Sequence, residues 1–215
     1  MRYTIPALLV FAALAAHPGC RREPPSEPPV PAADPAAAEA AALALARCEV
    51  AADRGCVATH LDLDAKAGIL FGALFTEAND ATRKAARTML LDLFMAAGPS
   101  LRERHFGGGV GEWSVDSADG DRAVVIEAGE TLRLEYRVRR TEAGWRVEDR
   151  VRLRGEHRAD PKVLVDKFLR DFEKQHDRKA TLADVNRDLP GFVGSHRART
   201  LRIPKKGAKR AEGKR

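Results

Sequence analysis

The longest regular alternation of apolar and polar residues lies between residues 121 and 154. One half of it alternates charged residues with Leu132, Leu134, Tyr136 and Val138, and the other half with Trp145, Val147, Val151 and Leu153. Successive side chains of a strand point to opposite faces, so each half has an apolar face and an arginine-rich face. Turn-forming residues at 128–130 and 142–144 divide the stretch into three strands, which predicts an antiparallel meander.

Helical periodicity precedes this sheet. Asp34 and Pro35 are a typical N-cap and first-turn proline, and the alanine-rich run to Ala52 predicts a helix. A second helix is predicted over His60–Phe75, with Asp62 or Asp64 as its cap, and a third begins at Asn79. The third helix has an apolar stripe at steps of four, formed by Ala81, Ala85, Met89, Leu93 and Ala97, with Leu90, Phe94 and Leu101 beside it.

The chain continues with the sheet and then returns to helices. The first strand is predicted from Val110 to Val115, after the glycines at 107–109. Asp160 with Pro161 begins a helix, and Thr181 with Asp184 resembles a capping box that opens a short last helix, which Pro190-Gly191 ends. Helices followed by strands predict an α+β class, with N-terminal helices packed on the sheet and C-terminal helices after it.

The N-terminal residues have the pattern of an export signal. Met1-Arg2 is followed by an apolar run over residues 7–16 and then by Gly19-Cys20, which predicts a signal peptide over residues 1–20. Gly19-Cys20 is similar to the end of a bacterial lipoprotein signal, where Cys20 would carry lipid; cleavage near Ala15 without lipidation is the alternative. Residues 21–34 are proline-rich and predict an extended tether.

Composition and charge limit the class of protein and the partners that can be expected. The chain has 215 residues, of which 44% are hydrophobic and 32% charged, with a net charge of +6. Residues 196–215 contain nine Lys or Arg and one Glu, so the predicted domain at 35–195 is not basic, and no nucleic-acid partner is expected. The basic tail is expected to be disordered and solvated, or alternatively to touch anionic lipid head groups.

The cysteines fit an oxidising compartment. If Cys20 carries lipid, Cys48 and Cys56 remain as a pair. On a continuous helix they would be about 12 Å apart, so a disulfide requires the chain to turn back near Asp53-Arg54-Gly55, where the glycine permits a turn. Two buried thiols are the alternative.

Few residues suggest catalysis or metal binding. His60, Asp62 and Asp64 could ligate a metal ion, but capping of a helix explains the aspartates better, so no metal site and no cofactor is predicted. Asp149 stands between Val147 and Val151 in the inward register. Its carboxylate is expected to accept hydrogen bonds from the backbone or an arginine; the alternative is a general base with a raised pKa, assisted by Tyr136.

Five short segments together resemble the toluene-tolerance family of MlaC-like periplasmic proteins. They are His60-Leu61-Asp62-Leu63-Asp64, Asn79-Asp80-Ala81-Thr82-Arg83, Asp121-Arg122-Ala123-Val124-Val125, Leu134-Glu135-Tyr136-Arg137-Val138 and Gly144-Trp145-Arg146-Val147-Glu148-Asp149. The resemblance covers roughly residues 38–190. It implies a curved sheet wrapped by helices, the cone of nuclear transport factor 2 and of cystatins. It also implies that the cavity between sheet and helices holds phospholipid acyl chains for an ABC-type lipid-trafficking system.

An acyl chain needs a dry, concave, apolar lining. The residues expected to line it are Phe71, Phe75, Leu90, Phe94, Trp113, Leu134, Tyr136, Val138, Val147 and Val151. The alternative is that they fill a packed core without a cavity. The predicted function is therefore a non-enzymatic phospholipid carrier, a membrane-anchored periplasmic lipoprotein with a membrane-bound ABC partner. The alternatives are an enzyme that uses Asp149 and a non-catalytic envelope adaptor.

Overall fold

A computed structural model describes residues 34–154 and 157–202. The predicted signal peptide, the lipidation at Cys20, nearly all of the tether and residues 203–215 lie outside the described residues. The described part consists of helices and one antiparallel sheet, which confirms the α+β class. None of its helices is long and apolar enough to cross a membrane.

The described part begins with two helices joined by a disulfide. Helix α1 spans Pro35–Val50 and is capped by Asp34, whose carboxylate accepts a hydrogen bond of 3.1 Å from the Ala37 N–H, as predicted. Helix α2 spans Arg54–His60. The reversal between them occurs at Ala52, which adopts φ +51°, directly before the predicted segment Asp53-Arg54-Gly55, whose glycine lies inside α2. The reversal brings the Cα atoms of Cys48 and Cys56 to 5.5 Å, and the two cysteines form a disulfide.

The prediction of a single helix over His60–Phe75 is wrong, because helical geometry is interrupted twice in this region. The Asp62 N–H donates to the Val147 carbonyl at 2.8 Å, so the backbone leaves helical geometry there to pair with a strand. Helix α3 then spans Leu63–Phe71, with Asp62 as its N-cap. Gly72, at φ +54°, separates α3 from the short helix α4 (Ala73–Thr76).

Helix α5 is the longest helix and spans Asp80–Phe106. The Asn79 side chain caps its first turn, as the sequence predicts, by accepting from the Thr82 N–H at 2.9 Å. Its end is fixed by Gly107, which adopts the left-handed conformation that terminates helices.

The sheet contains β1 (Glu112–Asp119), β2 (Arg122–Ala128), β3 (Arg133–Thr141), β4 (Gly144–Arg154) and β5 (His157–Ala159). The strands lie in sequence order and neighbouring strands are antiparallel, which confirms the predicted meander. Strands β1 and β5 form the two edges. The pairing of β1 with β2 shifts between Val115 and Ser117, where Asp116 forms a bulge.

A second irregularity changes which side chains of β4 share a face. Arg137 pairs with Asp149, but the next residue, Val138, pairs with Val147, so Glu148 is an extra residue in β4. A bulge of this kind moves the following side chains to the opposite face. Asp149 and Val151 therefore do not share the face of Val147, contrary to the prediction. The residue of β4 that lies opposite Tyr136 in the strand register is Arg150.

Two helices follow the sheet. Helix α6 (Pro161–His176) is capped by Asp160, as predicted. Helix α7 begins at Leu182 with the predicted capping box, in which Thr181 and Asp184 each accept a hydrogen bond from the other's backbone N–H. The predicted stop at Pro190-Gly191 is wrong, because α7 continues to Arg202 and includes the first residues of the predicted tail.

The buried apolar residues form two clusters. The sheet core joins α1, α2 and the second half of α5 to one face of the sheet, and it includes Leu45, Leu101, Val125, Leu134 and Val147. The helical core joins α3 and α4 to the first half of α5, α6 and α7, and it includes Phe71, Met89, Phe168, Phe172 and Val185. Helix α5 contributes to both.

Candidate functional site

The predicted lining residues lie in different places. Leu134, Tyr136, Val138 and Val147 belong to the sheet core, with Phe94 and Trp113 packed against it. Phe71, Phe75 and Leu90 belong to the helical core. Val151 is buried but belongs to neither cluster. The structure therefore does not bring the ten residues together around one cavity.

The sheet core is tightly packed at the residues that were expected to line an acyl-chain cavity. Leu134, Tyr136 and Val147 have no accessible surface, and Val138 retains 1%. A space wide enough for a hydrocarbon chain would leave these side chains accessible to a water-sized sphere. These residues therefore fill a core, which was the alternative, and their role in ligand binding stays a prediction.

A buried network of charged side chains occupies this face of the sheet next to Tyr136. Arg102 of α5 donates to Glu49 of α1 at 2.9 and 3.1 Å and to the Tyr136 hydroxyl at 2.6 Å, and it also pairs with Glu127 of β2. The Tyr136 hydroxyl in turn donates to Glu127 at 2.6 Å. Arg150 of β4 pairs with Glu49. We call these five residues the buried network.

The buried network is balanced in charge and saturated in hydrogen bonds. Two guanidinium groups face two carboxylates, so no positive or negative charge of the network is buried without a partner of opposite charge. Burial raises the pKa of the Tyr136 hydroxyl above its usual range, so the hydroxyl remains protonated and available as a donor. The Gly111 N–H adds a hydrogen bond of 2.9 Å to Glu127. Such an arrangement ties α1, α5 and the sheet together.

Sequence reasoning missed this network. A signal for it exists, because Glu127 interrupts the apolar strand β2 and Glu49 lies in an alanine- and leucine-rich helix. Buried carboxylates require partners. The partners themselves are not readable from the sequence, since Arg102 is 53 residues from Glu49 and 25 from Glu127.

Asp149 lies outside the buried network and has its own partners. Its carboxylate pairs with Lys66 of α3, accepts from the Arg150 N–H at 2.8 Å, and lies 4.0 Å from the Arg137 guanidinium. Burial lowers the pKa of the Lys66 ammonium, and the Asp149 carboxylate opposes that shift. Because the bulge at Glu148 places Asp149 on the face opposite Tyr136, the structure does not bring together the pair on which the enzymatic alternative depends.

An apolar groove lies between α5 and α7. It has a volume of about 790 Å³. Its apolar lining comes from Ala81, Ala85, Met89, Leu93, Ala96, Pro190 and Val193, and its polar lining from Lys84, Thr88, Asp92 and Asn186. Most of the alanine-rich stripe predicted on α5 thus lies along this groove, where Ala81 and Ala85 are exposed.

Most polar groups of the groove already have partners within the protein. Asn186 donates to the Thr82 carbonyl at 3.1 Å, Thr88 donates to the Lys84 carbonyl at 3.2 Å, and Asp92 pairs with Arg54. Within the described residues, the Lys84 ammonium pairs with no carboxylate. The groove therefore offers an apolar floor and one available cation.

Comparison with known proteins gives a weak similarity to a solved structure. No protein-family model matches the chain, and no curated protein matches it. Among solved structures, a similar chain is the phospholipid-binding protein from Ralstonia solanacearum, determined in complex with a phospholipid. It is 14% identical, the match covers 74% of this chain and 97% of that chain, and the TM-score is 0.48. This similarity is too weak to establish a family.

Proposed function

We propose that this protein binds phospholipid and holds an acyl chain in the groove between α5 and α7. The observation that supports the proposal is the groove itself, whose volume of about 790 Å³ lies within the range of ligand sites, about 300–1,000 Å³. The proposal keeps the ligand that the sequence predicts and moves its site. The site lies between two helices and not between the helices and the sheet.

The dimensions of the groove suit a hydrocarbon chain. Its lining on α5 extends from Ala81 to Ala96. At 1.5 Å per residue this is about 22 Å along the helix axis. The hydrocarbon core of a bilayer is about 30 Å thick, so one acyl chain spans about 15 Å of it and fits the groove lengthwise.

The charged groups suggest an orientation for the lipid. Lys84 lies towards the N-terminal end of the groove, where an ammonium group would contact a phosphate. Asp92, further along, would repel it. The head group would then lie near Lys84 in water and the acyl chain would extend towards Ala96.

The setting that we propose is the periplasm, with the protein anchored as a lipoprotein and serving an ABC-type lipid-trafficking system. The N-terminal pattern ending at Cys20 supports export and anchoring. The disulfide between Cys48 and Cys56 is of the kind that persists in oxidising compartments. We propose a binding protein and not an enzyme, since Asp149 is occupied by its ion pair with Lys66.

The test is to fill the groove and measure lipid binding. Ala85→Trp places a large ring at an exposed position on the groove floor, and we expect it to reduce binding of a fluorescent phospholipid from vesicles at least tenfold. Native mass spectrometry of the purified protein should show a mass addition of one phospholipid, which the variant loses. Ala40→Trp, at an exposed alanine of α1 outside the groove, is the matched control and should bind as the parent does.

Two results would contradict the proposal. One is a lipid-free mass in repeated preparations together with no uptake from vesicles. The other is lipid binding that Ala85→Trp leaves unchanged, which would place the lipid elsewhere in the protein.

A further inference from the structure

Three potential metal ligands converge at the junction of α1 and α2. The Sγ atoms of Cys48 and Cys56 and a ring nitrogen of His60 all lie within 4.8 Å of one another. Cys48 is buried, and Cys56 and His60 are half-buried. The cluster is therefore anchored in the sheet core on one side and reachable from solvent on the other.

The local fold explains why these three residues meet. Cys56 and His60 are four residues apart on α2, so their side chains lie on the same face of the helix. The reversal at Ala52 places the last turn of α1 against that face and brings Cys48 next to them. Asp53 fixes the start of α2 by accepting a hydrogen bond of 2.9 Å from the Cys56 N–H.

The histidine of this cluster has a different set of neighbours from the one that the sequence suggested. Asp62 is the N-cap of α3 and Asp64 pairs with Arg87 at 2.7 Å, so both aspartates have structural roles. Within the described residues, His60 makes no side-chain hydrogen bond or ion pair. Its imidazole is thus available beside two sulfur atoms.

We propose that reduction of the Cys48–Cys56 disulfide converts this cluster into a binding site for a thiophilic metal ion of the Zn²⁺ class. A dithiol reductant supplies two electrons and two protons, the S–S bond breaks to give two thiols, and the reductant becomes a disulfide. Binding of Zn²⁺ to both sulfur atoms then releases the two thiol protons. The ion is held by two thiolates and the neutral His60 imidazole.

The chemistry of the three groups matches this ion. Zinc prefers thiolate and imidazole ligands in a tetrahedral arrangement, with bonds of about 2.3 Å to sulfur and about 2.0–2.1 Å to nitrogen. Ligand atoms bound to one such ion lie within about 4 Å of one another, so convergence within 4.8 Å requires only small side-chain adjustments. Two thiolates and one imidazole leave a fourth position for water. The ion would keep α1 and α2 linked when the disulfide is open.

The experiment uses the full chain with Cys20→Ser, so that Cys48 and Cys56 are its only cysteines. The protein is reduced with a phosphine and titrated with Co²⁺, whose charge-transfer absorption reports bound thiolates, and then with Zn²⁺ as competitor. We expect one equivalent of Co²⁺ bound by the reduced protein, displacement by Zn²⁺, and no such absorption from the oxidised protein.

His60→Ala separates the proposed site from binding by two cysteines alone. This variant keeps the disulfide for folding, and after reduction it should bind Zn²⁺ at least about tenfold more weakly. His176→Ala, which removes an exposed histidine from α6, is the control and should bind as tightly as the parent. Far-UV circular dichroism monitors the fold throughout.

Three results would overturn the proposal: a reduced, folded protein that binds no Co²⁺ or Zn²⁺; equal affinity in His60→Ala; or unfolding on reduction that Zn²⁺ does not reverse.

Discussion

At the residue scale, the contact between Glu49 and Gly98 shows how closely the buried network is fitted. A Cβ atom at Gly98 would lie 2.7 Å from Glu49 Oε1 and 3.2 Å from its Cδ. A flexible glutamate could move away, but this carboxylate is held by Arg102 and Arg150. The absence of a side chain at Gly98 therefore makes room for a buried charge.

We expect Gly98→Ala to destabilise the protein, although alanine is favoured over glycine inside helices by about 1 kcal/mol. The added methyl group would displace Glu49 from its partners, and disturbing a buried ion pair costs about 3–5 kcal/mol when a partner is lost altogether. A net loss of about 1–3 kcal/mol in the free energy of unfolding, measured by urea denaturation, is the expected result.

Gly68→Ala in α3 is the matched control, since no atom lies within 4 Å of a Cβ at that position. It should stabilise the protein slightly, by about 0.5–1 kcal/mol. Equal stabilisation by both substitutions would show that Glu49 is not held in place.

At the element scale, local signals in the sequence predict where helices begin better than where they end. Asp34, Asn79 and Asp160 cap the helices they were expected to cap, because a cap is an interaction between residues two or three positions apart. The breaks and ends depend on distant residues. Leu61 leaves the helical conformation because Asp62 pairs with Val147, and α7 passes Pro190 while packing against α5.

The same distinction applies to the sheet and to the candidate site. Alternation predicts the strands of the meander, but a single extra residue, Glu148, reverses the faces of Asp149 and Val151. No local pattern marks that bulge. The groove was not predicted, because the periodicity of Ala81 and Ala85 indicates an apolar face without indicating that this face lines a groove instead of a filled core.

The first turn of α7 leads to a prediction about pH. Hydrogen bonds from the Arg178 guanidinium, at 2.7 and 3.0 Å, and then from the Thr181 N–H, hold the pKa of Asp184 well below its usual range. Because the folded-state pKa lies below the unfolded value of about 3.9, the ionised carboxylate stabilises the folded state. That contribution is complete above about pH 5 and is lost as the pH falls below about 4.

Asp184→Asn should therefore reduce the free energy of unfolding by about 1 kcal/mol at pH 7, and the difference from the parent should shrink between pH 5 and pH 3. Urea denaturation across this range measures it. Glu173→Gln, which removes an exposed carboxylate from α6, is the control and should have little effect at any pH. A difference for Asp184→Asn that is constant with pH would contradict the assignment.

At the scale of the whole molecule, α5 connects the two clusters of buried residues. Its first half contributes Met89 and Leu90 to the helical core, and its second half contributes Leu101 and Phe106 to the sheet core. A continuous helix shared by two cores makes their stabilities interdependent. The described part of the chain should therefore unfold as one cooperative unit.

The two tryptophans allow this expectation to be tested. Trp113 and Trp145 both pack against the sheet core, so their fluorescence reports on the sheet, while far-UV circular dichroism is dominated by the helices. Urea transitions followed by the two signals should coincide, and Phe172→Ala in the helical core should shift both midpoints equally. Separate midpoints would show that the helical core unfolds by itself.

The edge strand β1 also has a consequence for solubility. An exposed strand edge can pair with the edge of another molecule and begin aggregation. In β1 the exposed positions include Glu112, Asp116 and Asp119, and Asp116 forms the bulge that interrupts regular pairing. Negative charge and a local kink together oppose stacking of like molecules, so concentrated solutions should remain free of fibrils even though the sheet is open at this side.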